Sequence, residues 1–337
     1  MDAKITKKRL GHLLSYDWVK MIAVVLAAIL VWSLIFTTSA TRITSTQRFV
    51  VYNYLGTSYG TGANIYGGYS HEIIEAEIID NMRGGKDTFY TILDGYLETG
   101  EGDVMLLADV PSSRTEKTDE QGNTVKDGEE IVYEYGESYL TQFIRSYVGR
   151  LSRLDDADSG KGYFSQMKDY LGKFYEIENP TAATYSGITY ATFKEDTLNT
   201  ELIESEFRAR IQANKDKRYK KEEQIVAAIP KEIERIKLYL AAYKQFFAYI
   251  ESGDIAFTSV EVSLTETYTV SGVYGINLCP DETKTPNMKD AIYYVDFDGK
   301  VQAQNMTALF INLAGLDPDY QYENLIFINA LVADAKA

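Results

Sequence analysis

From Met21 to Phe36 the chain reads MIAVVLAAILVWSLIF, with Ser33 as the only polar side chain, and Thr37 to Ala40 extend the run without charge. About 20 residues at 1.5 Å each cover the roughly 30 Å hydrocarbon core of a bilayer, so the pattern predicts a transmembrane helix over 21–40. Trp18 and Trp32, the only two tryptophans, sit near its ends, where an indole can reach the headgroups. A cleaved signal peptide ending at Thr38-Ser39-Ala40 is the rival reading; the long apolar run favours an anchor. Residues 8–19 (KRLGHLLSYDWV) form either a short interfacial helix or a cytosolic extension of the span.

Beyond the span the texture is that of a folded domain. Arg48 to Leu55 (RFVVYNYL) is β-branched and aromatic, which predicts a strand. A loop rich in Gly and Tyr follows over 56–70. The apolar positions of His71–Met82 (HEIIEAEIIDNM) then fit an amphipathic helix stopped by Gly84-Gly85. Asp87 can cap a second helix through Phe89, Ile92, Leu93, Tyr96 and Leu97, with Gly100 at its end. The continuous run Asp103–Val110 (DVMLLADV) predicts a strand covered on both faces, and this order of elements implies an α/β layer with parallel pairing.

Ser112–Glu130 is polar and predicts an exposed hairpin or excursion. Helices are expected over Tyr139–Leu154 and Tyr163–Phe174. Glu201–Ile229 then reads as one long charged helix whose basic centre, Lys215–Lys221, is a solvated face, and Pro230 opens a second helix at its first position. Residues 193–252 together suggest a helical insertion. Strands return at Ile255–Leu264, Tyr268–Leu278 and Ala291–Phe297, with Asp298-Gly299 as a hairpin turn into Lys300–Gln304. Two helices, Thr307–Ala314 and Pro318–Ala335, close the chain. The expected fold class is α/β, with one N-terminal transmembrane helix and a mixed-sheet exterior domain. Its segments are 1–20 (cytoplasmic), 21–40 (span), 41–192 (α/β region), 193–252 (helical insertion) and 253–337 (return strands and C-terminal helices).

Charge gives the span a direction. The first 40 residues hold five cations against two anions, and the remainder 29 against 47. The positive-inside rule places the N-terminus in the cytoplasm and 41–337 outside. A net charge of -15 excludes a nucleic-acid partner, which would need clustered Lys and Arg. The single cysteine, Cys279, permits no intrachain disulfide and reads as a small packed hydrophobe.

Candidate chemistry is sparse. His71 is the one imidazole beyond the span, so a two-histidine metal site is excluded there, and no G-x-S-x-G elbow is present. The carboxylates of Asp296-Phe297-Asp298-Gly299 and Asp317-Pro318-Asp319 lack calcium-loop spacing and read as turns. No catalytic residue, metal or cofactor is expected. A recognition loop is the remaining option: a Gly-flexed segment ahead of a helix N-terminus, with Tyr54, Gly56, Tyr59, Tyr66, Tyr69, His71 and Asp109 as candidate ligand contacts. Tyrosine occurs 27 times along the chain, which weakens its weight as a local marker.

Three stretches carry a family likeness: RFVVYNYLG with HEIIEAEIIDNM, ILDGYLETGEGDVMLLAD, and NMTALFINLAGLDPDYQYENLIFINALV. In these, about a third of its length, the chain resembles the extracytoplasmic, type II periplasmic-like solute-binding proteins of ABC transporters, which have two α/β lobes. The resemblance implies a small-molecule ligand in a cleft lined by residues following the strands at 51–55 and 104–108. It also implies an ABC permease as membrane partner and a role accessory to transport or ligand sensing. The alternative is a non-catalytic envelope scaffold that docks a partner membrane protein through its helical insertion.

Overall fold

The computed structural model describes residues 7, 11, 18–39, 43, 47–60, 67–80, 86–99, 102–157, 160–311 and 322–337. The chain divides into two units, Met1–Ile43 and Thr44–Ala337. The first contains helix α1, Trp18–Ser39, whose 22 residues extend about 33 Å. The window Trp18–Ile35 has a mean hydropathy of 2.4 and none of it is buried. The span read over 21–40 is thus a helix, begun three residues earlier at Trp18.

In the second unit, β1 (Arg48–Asn53) is the pivot of a six-stranded mixed sheet. It pairs in parallel with β3 (Glu75–Asp80) on one side and β4 (Val104–Ala108) on the other. Between β1 and β3 lies the short β2 (Thr57–Tyr59), and α2 (Lys86–Thr99) precedes β4. The sheet continues from β4 through three antiparallel strands: β15 (Met306–Phe310), β12 (Thr269–Asn277) and β11 (Ala256–Ser263).

Alternation along β1 and β4 builds a core on each face. Phe49, Val51, Val104, Leu106 and Ala108 face α4 (Tyr163–Phe174), α6 (Glu222–Ser252) and α8 (Tyr322–Lys336). Val50, Tyr52, Tyr54, Met105 and Leu107 face α2 and α3 (Tyr139–Tyr147). The α/β class and the two-sided cover of β4 therefore hold.

Several elements differ from the sequence reading. Residues 71–80 of the region 71–82 are not a helix: a turn at His71-Glu72 leads into β3, where Ala76 and Ile78 pack on one face of the sheet and Ile79 on the other. Pairing with β1 selects period two where the apolar spacing also allowed 3.6. Of the helix expected over Thr307–Ala314, residues 307–310 are instead in β15, which is buried throughout between β4 and β12. The helix over Tyr139–Leu154 ends at Tyr147, followed by a 3₁₀ turn over 148–150. Residues 177–193, given no strands in the sequence reading, form the hairpin β9 (Ile177–Tyr185) and β10 (Ile188–Phe193). Its two-residue turn, Ser186-Gly187, has positive φ at both positions, as a type I′ turn requires.

The single helix expected over 201–229 is two. Helix α5 (Thr200–Asn214) ends where Lys215 takes a left-handed conformation, and α6 starts at Glu222. Pro230 lies inside α6 instead of opening it. Losing its N–H is tolerated because α6 is fixed by tertiary packing, with Ala228, Ile236, Leu240, Tyr243 and Phe247 buried and α8 alongside. The Lys215–Lys221 segment is accordingly a connection between helices, and Arg218 within it is drawn inward. Residues 100–101, 81–85 and 312–321, which include the stops read at Gly84-Gly85, Gly100 and Gly315 and the Asp317-Pro318 start, lie outside the described residues.

Strand β2 belongs to a second small sheet with β13 (Ile292–Val295) and β14 (Val301–Gln302), the latter pair joined by the turn at Gly299. A four-residue helix, α7 (Met288–Ala291), precedes β13. Gly60 closes this sheet: its N–H donates to the Ala291 carbonyl at 2.7 Å, and a Cβ there would sit 1.9 Å from the Asp290 carbonyl oxygen. Gly60→Ala must push β2 from β13, and a loss of about 1–3 kcal/mol is expected in a thermal melt.

Candidate functional site

The densest chemistry in the domain is a buried chain of charges between the turn at Ser70–Glu72, α5, α6 and α8. Glu232 and Arg235 stand one turn apart on α6, with Tyr239 a further turn along, so all three share the face that packs inward. Glu72, Glu232, Arg235 and Glu323 are only 1 to 3% exposed, so each must be paired.

The pairing is continuous. Arg218, itself held by Asp216, donates to Glu72 Oε2 at 2.6 Å. Arg210 Nη2 bridges Glu72 Oε1 and Glu232 Oε2, both at 3.0 Å. Arg235 donates to both oxygens of Glu232 and, at 3.2 Å each, to the hydroxyls of Tyr239 and Tyr170. Tyr239 in turn donates to Glu323 Oε1 at 2.9 Å, and the Ser70 N–H to Glu323 Oε2 at 3.2 Å. Tyr239 also stacks on Tyr322 with ring centroids 4.6 Å apart. His71 closes the set, its Nε2 lying 3.4 Å from Glu72 and 3.7 Å from Glu232.

These contacts set the ionisation of the carboxyls. Burial pushes Glu72 up, but His71, Arg210 and Arg218 pull it the other way and leave it well below the usual range. Burial likewise opposes Arg235 and Arg210 at Glu232, and the guanidiniums again win. At Glu323 burial wins, and its carboxyl is raised despite the Ser70 and Tyr239 bonds. Just ahead of β4, burial pushes Asp103 up to about 7, against the 2.7 Å bond it accepts from the Val50 N–H.

His71, Glu72 and Glu232 place their ligand atoms within 4.8 Å of one another, the spacing of a metal centre. The donors do not suit one: every oxygen of Glu72 and Glu232 already accepts a guanidinium N–H, and the positive charge of Arg210, Arg218 and Arg235 opposes a dication. The arrangement is an ion-pair lattice that fastens the α5–α6 connection and the Ser70–Glu72 turn to α6 and α8. No family model, curated protein or solved structure matches the chain.

The residues proposed from sequence as ligand contacts do not gather in one place. Tyr54 is buried on the α2/α3 face, its ring edge-on to Phe143 and its hydroxyl 3.3 Å from that of Tyr90; burial holds that hydroxyl far above its ordinary range. Gly56, with φ of 80°, turns the chain beneath the Tyr139 ring. Tyr59 sits on β2 opposite Ile292, and the Asp109 N–H donates to Asn305. Tyr69 packs on Phe49 across the sheet from Tyr54, and His71 joins the charge lattice. Tyr66 lies outside the described residues. The sequence reading missed Glu72, Arg210, Arg218, Glu232, Arg235, Tyr239 and Glu323. The usable signal was Glu232 and Arg235 at helical spacing with Tyr239, Ala242 and Phe246, which puts charge on an inward face.

A cleft of about 630 Å³ opens elsewhere, between α6 and β10. Tyr175, Tyr190, Leu198 and Leu240 form part of its wall, together with Lys237, Lys244 and Glu195. Lys244 is paired with Glu195.

Proposed function

We propose that this protein is a non-catalytic, single-pass, membrane-anchored accessory, with its N-terminus in the cytoplasm and residues 41–337 outside, working beside a partner membrane protein. The observation that carries the reading is α1: a window of mean hydropathy 2.4 with no buried residue has no role in a folded core. The five cations ahead of it support the orientation. The test is carbonate extraction of membranes together with N-terminal sequencing of the mature chain. Retention in the pellet with residues ahead of Ala40 intact supports the anchor; release of a chain starting after Ala40 overturns it in favour of a signal sequence.

A second reading keeps the solute-binding likeness, with an ABC permease as partner and ligand sensing as the role. The cleft between α6 and β10 has a volume in the range of small-molecule sites, but it is not lined by the residues after β1 and β4 where the likeness places the ligand, so a ligand here would use a different wall. A ligand seated there should raise the melting temperature of the wild-type chain but not of Ala241→Trp, which fills the cleft. A library in which every stabilising compound acts equally on both chains counts against this reading.

A further inference from the structure

Residues 112–137 leave the domain as an arm of two stacked hairpins. Strand β5 (Arg114–Glu116) pairs with β8 (Tyr133–Tyr135), and β6 (Lys126–Asp127) with β7 (Glu130–Ile131). Its root is fastened by the Pro111–Ser138 bridge, by Gln142 donating to Ser112, and by Arg145 paired with Glu137. None of residues 112–137 enters either core cluster on the sheet, so burial does not account for the arm.

The arm instead builds a surface with the β13–β14 hairpin. Arg114 is the clasp: its guanidinium donates to the Asp298 carboxylate at 2.9 Å and the Phe297 carbonyl at 3.0 Å, and it lies over the rings of Tyr133 and Phe297 at 4.6 and 5.2 Å. Held this way, the Tyr135 ring meets that of Phe297 at 6.2 Å. Val295 lies opposite Val301 in register at the end of β13, and Phe297 stands in the turn that joins β13 to β14. Tyr135, Val295, Phe297 and Val301 are each between 43 and 58% exposed. Four large apolar side chains from two hairpins thus form one exposed patch, on a fixed frame.

The charge around the patch selects its occupant. Residues 112–137 hold eight acidic side chains against three basic ones, and Asp296 and Asp298 flank Phe297. A bilayer surface carrying anionic lipid is repelled by such a rim. A polypeptide that presents an apolar anchor ringed by Lys and Arg is attracted to it. We propose that the Tyr135–Val295–Phe297–Val301 patch is a docking surface for a basic partner polypeptide. The proposal rests on the accessory reading for the partner being a membrane neighbour; the surface itself does not depend on the anchor.

The test uses the full chain in detergent and three probes: a short fluorescent peptide of lysine, tryptophan and leucine, the same peptide with glutamate for lysine, and phosphatidylglycerol vesicles added to chain in nanodiscs. The lysine peptide is expected to bind, more weakly as salt rises, and the glutamate peptide and vesicles are not. Tyr135→Ser combined with Phe297→Ser should lower affinity at least tenfold with an unchanged melting temperature, while Glu201→Lys, on the exposed start of α5, leaves affinity unchanged. Equal binding to the double variant, equal loss in Glu201→Lys, binding of the vesicles in preference to the peptide, or no binding at all each overturns the proposal. Carbonate extraction is read separately, so failure of the anchor and failure of the docking surface are distinguishable.

Discussion

Replacing Arg235 with Met is expected to destabilise the domain by about 3–5 kcal/mol, the range for breaking a buried ion pair from one side. Arg235 is the node through which Glu232, Tyr170 and Tyr239 are joined. Met fills much of the space yet leaves Glu232 with the guanidinium of Arg210 only, and removes a cation that opposes the burial of Glu323. Glu232→Gln should cost a comparable amount, because it leaves the buried Arg235 guanidinium without its carboxylate and turns an amide NH2 toward it. The two substitutions together should fall short of their sum by about 0.5–3 kcal/mol, the coupling of residues in one network. Chemical unfolding followed by far-UV circular dichroism measures all three. A loss under 1 kcal/mol for Arg235→Met would mean that the lattice contributes little to stability.

Stability against pH should form a dome, with Asp103→Asn removing its alkaline slope. Glu72 and Glu232 are held below the ordinary 4.5, so their contribution is complete above that pH and is lost as the medium becomes more acidic. Asp103 acts in the opposite sense. Between its ordinary 3.8 and about 7 the folded protein keeps a proton that the unfolded chain has released, so stability falls as pH rises through that window. The gap corresponds to about 4 kcal/mol at most. Glu323, also raised by burial, adds in the same direction. Wild type should therefore melt highest at about pH 4.5, lose stability steadily toward pH 7, and at pH 8 stand below its own maximum. Asp103→Asn can still accept from the Val50 N–H and carries no charge to desolvate. Its melting temperature should exceed wild type most at pH 8, by less at pH 5, and converge with it at about pH 4; equal differences at all three pH values would exclude ionisation of Asp103 as the cause.

The legible parts of the fold were those where local pattern and tertiary environment agree. α1 declares itself by the long uncharged run that begins at Met21, and β4 by a run too apolar for a one-sided strand. β3 and β15 were misread because Ile73, Ile74, Ile78 and Ile79, and likewise Met306 to Phe310, satisfy helical and strand spacing equally. Only pairing with β1 and β4 decides between them, and that information is held by residues far away in sequence. The α5–α6 break was hidden because Lys215–Lys221 has good helix-forming composition. What ends the helix is Asp216 and Arg218 folding back toward Glu72. The charge lattice was illegible for the same reason. Its members come from positions 70–72, 210, 216–218, 232–239 and 323, no two segments of which form a motif.

The placement of β15 between β4 and β12 has a consequence for the order in which the domain can be made. Val104–Ala108 leaves the ribosome about 200 residues before its partner Met306–Phe310. At about 5–20 residues per second, that is a wait of roughly 10–40 s. Throughout it, β4 has one backbone edge open and five apolar side chains without their final neighbours. The parallel trio β3–β1–β4 is therefore an unfinished template during synthesis, open to strand addition by another nascent copy. Full-length chain should be needed before protection from proteolysis appears, with a sharp onset once Phe310 has emerged.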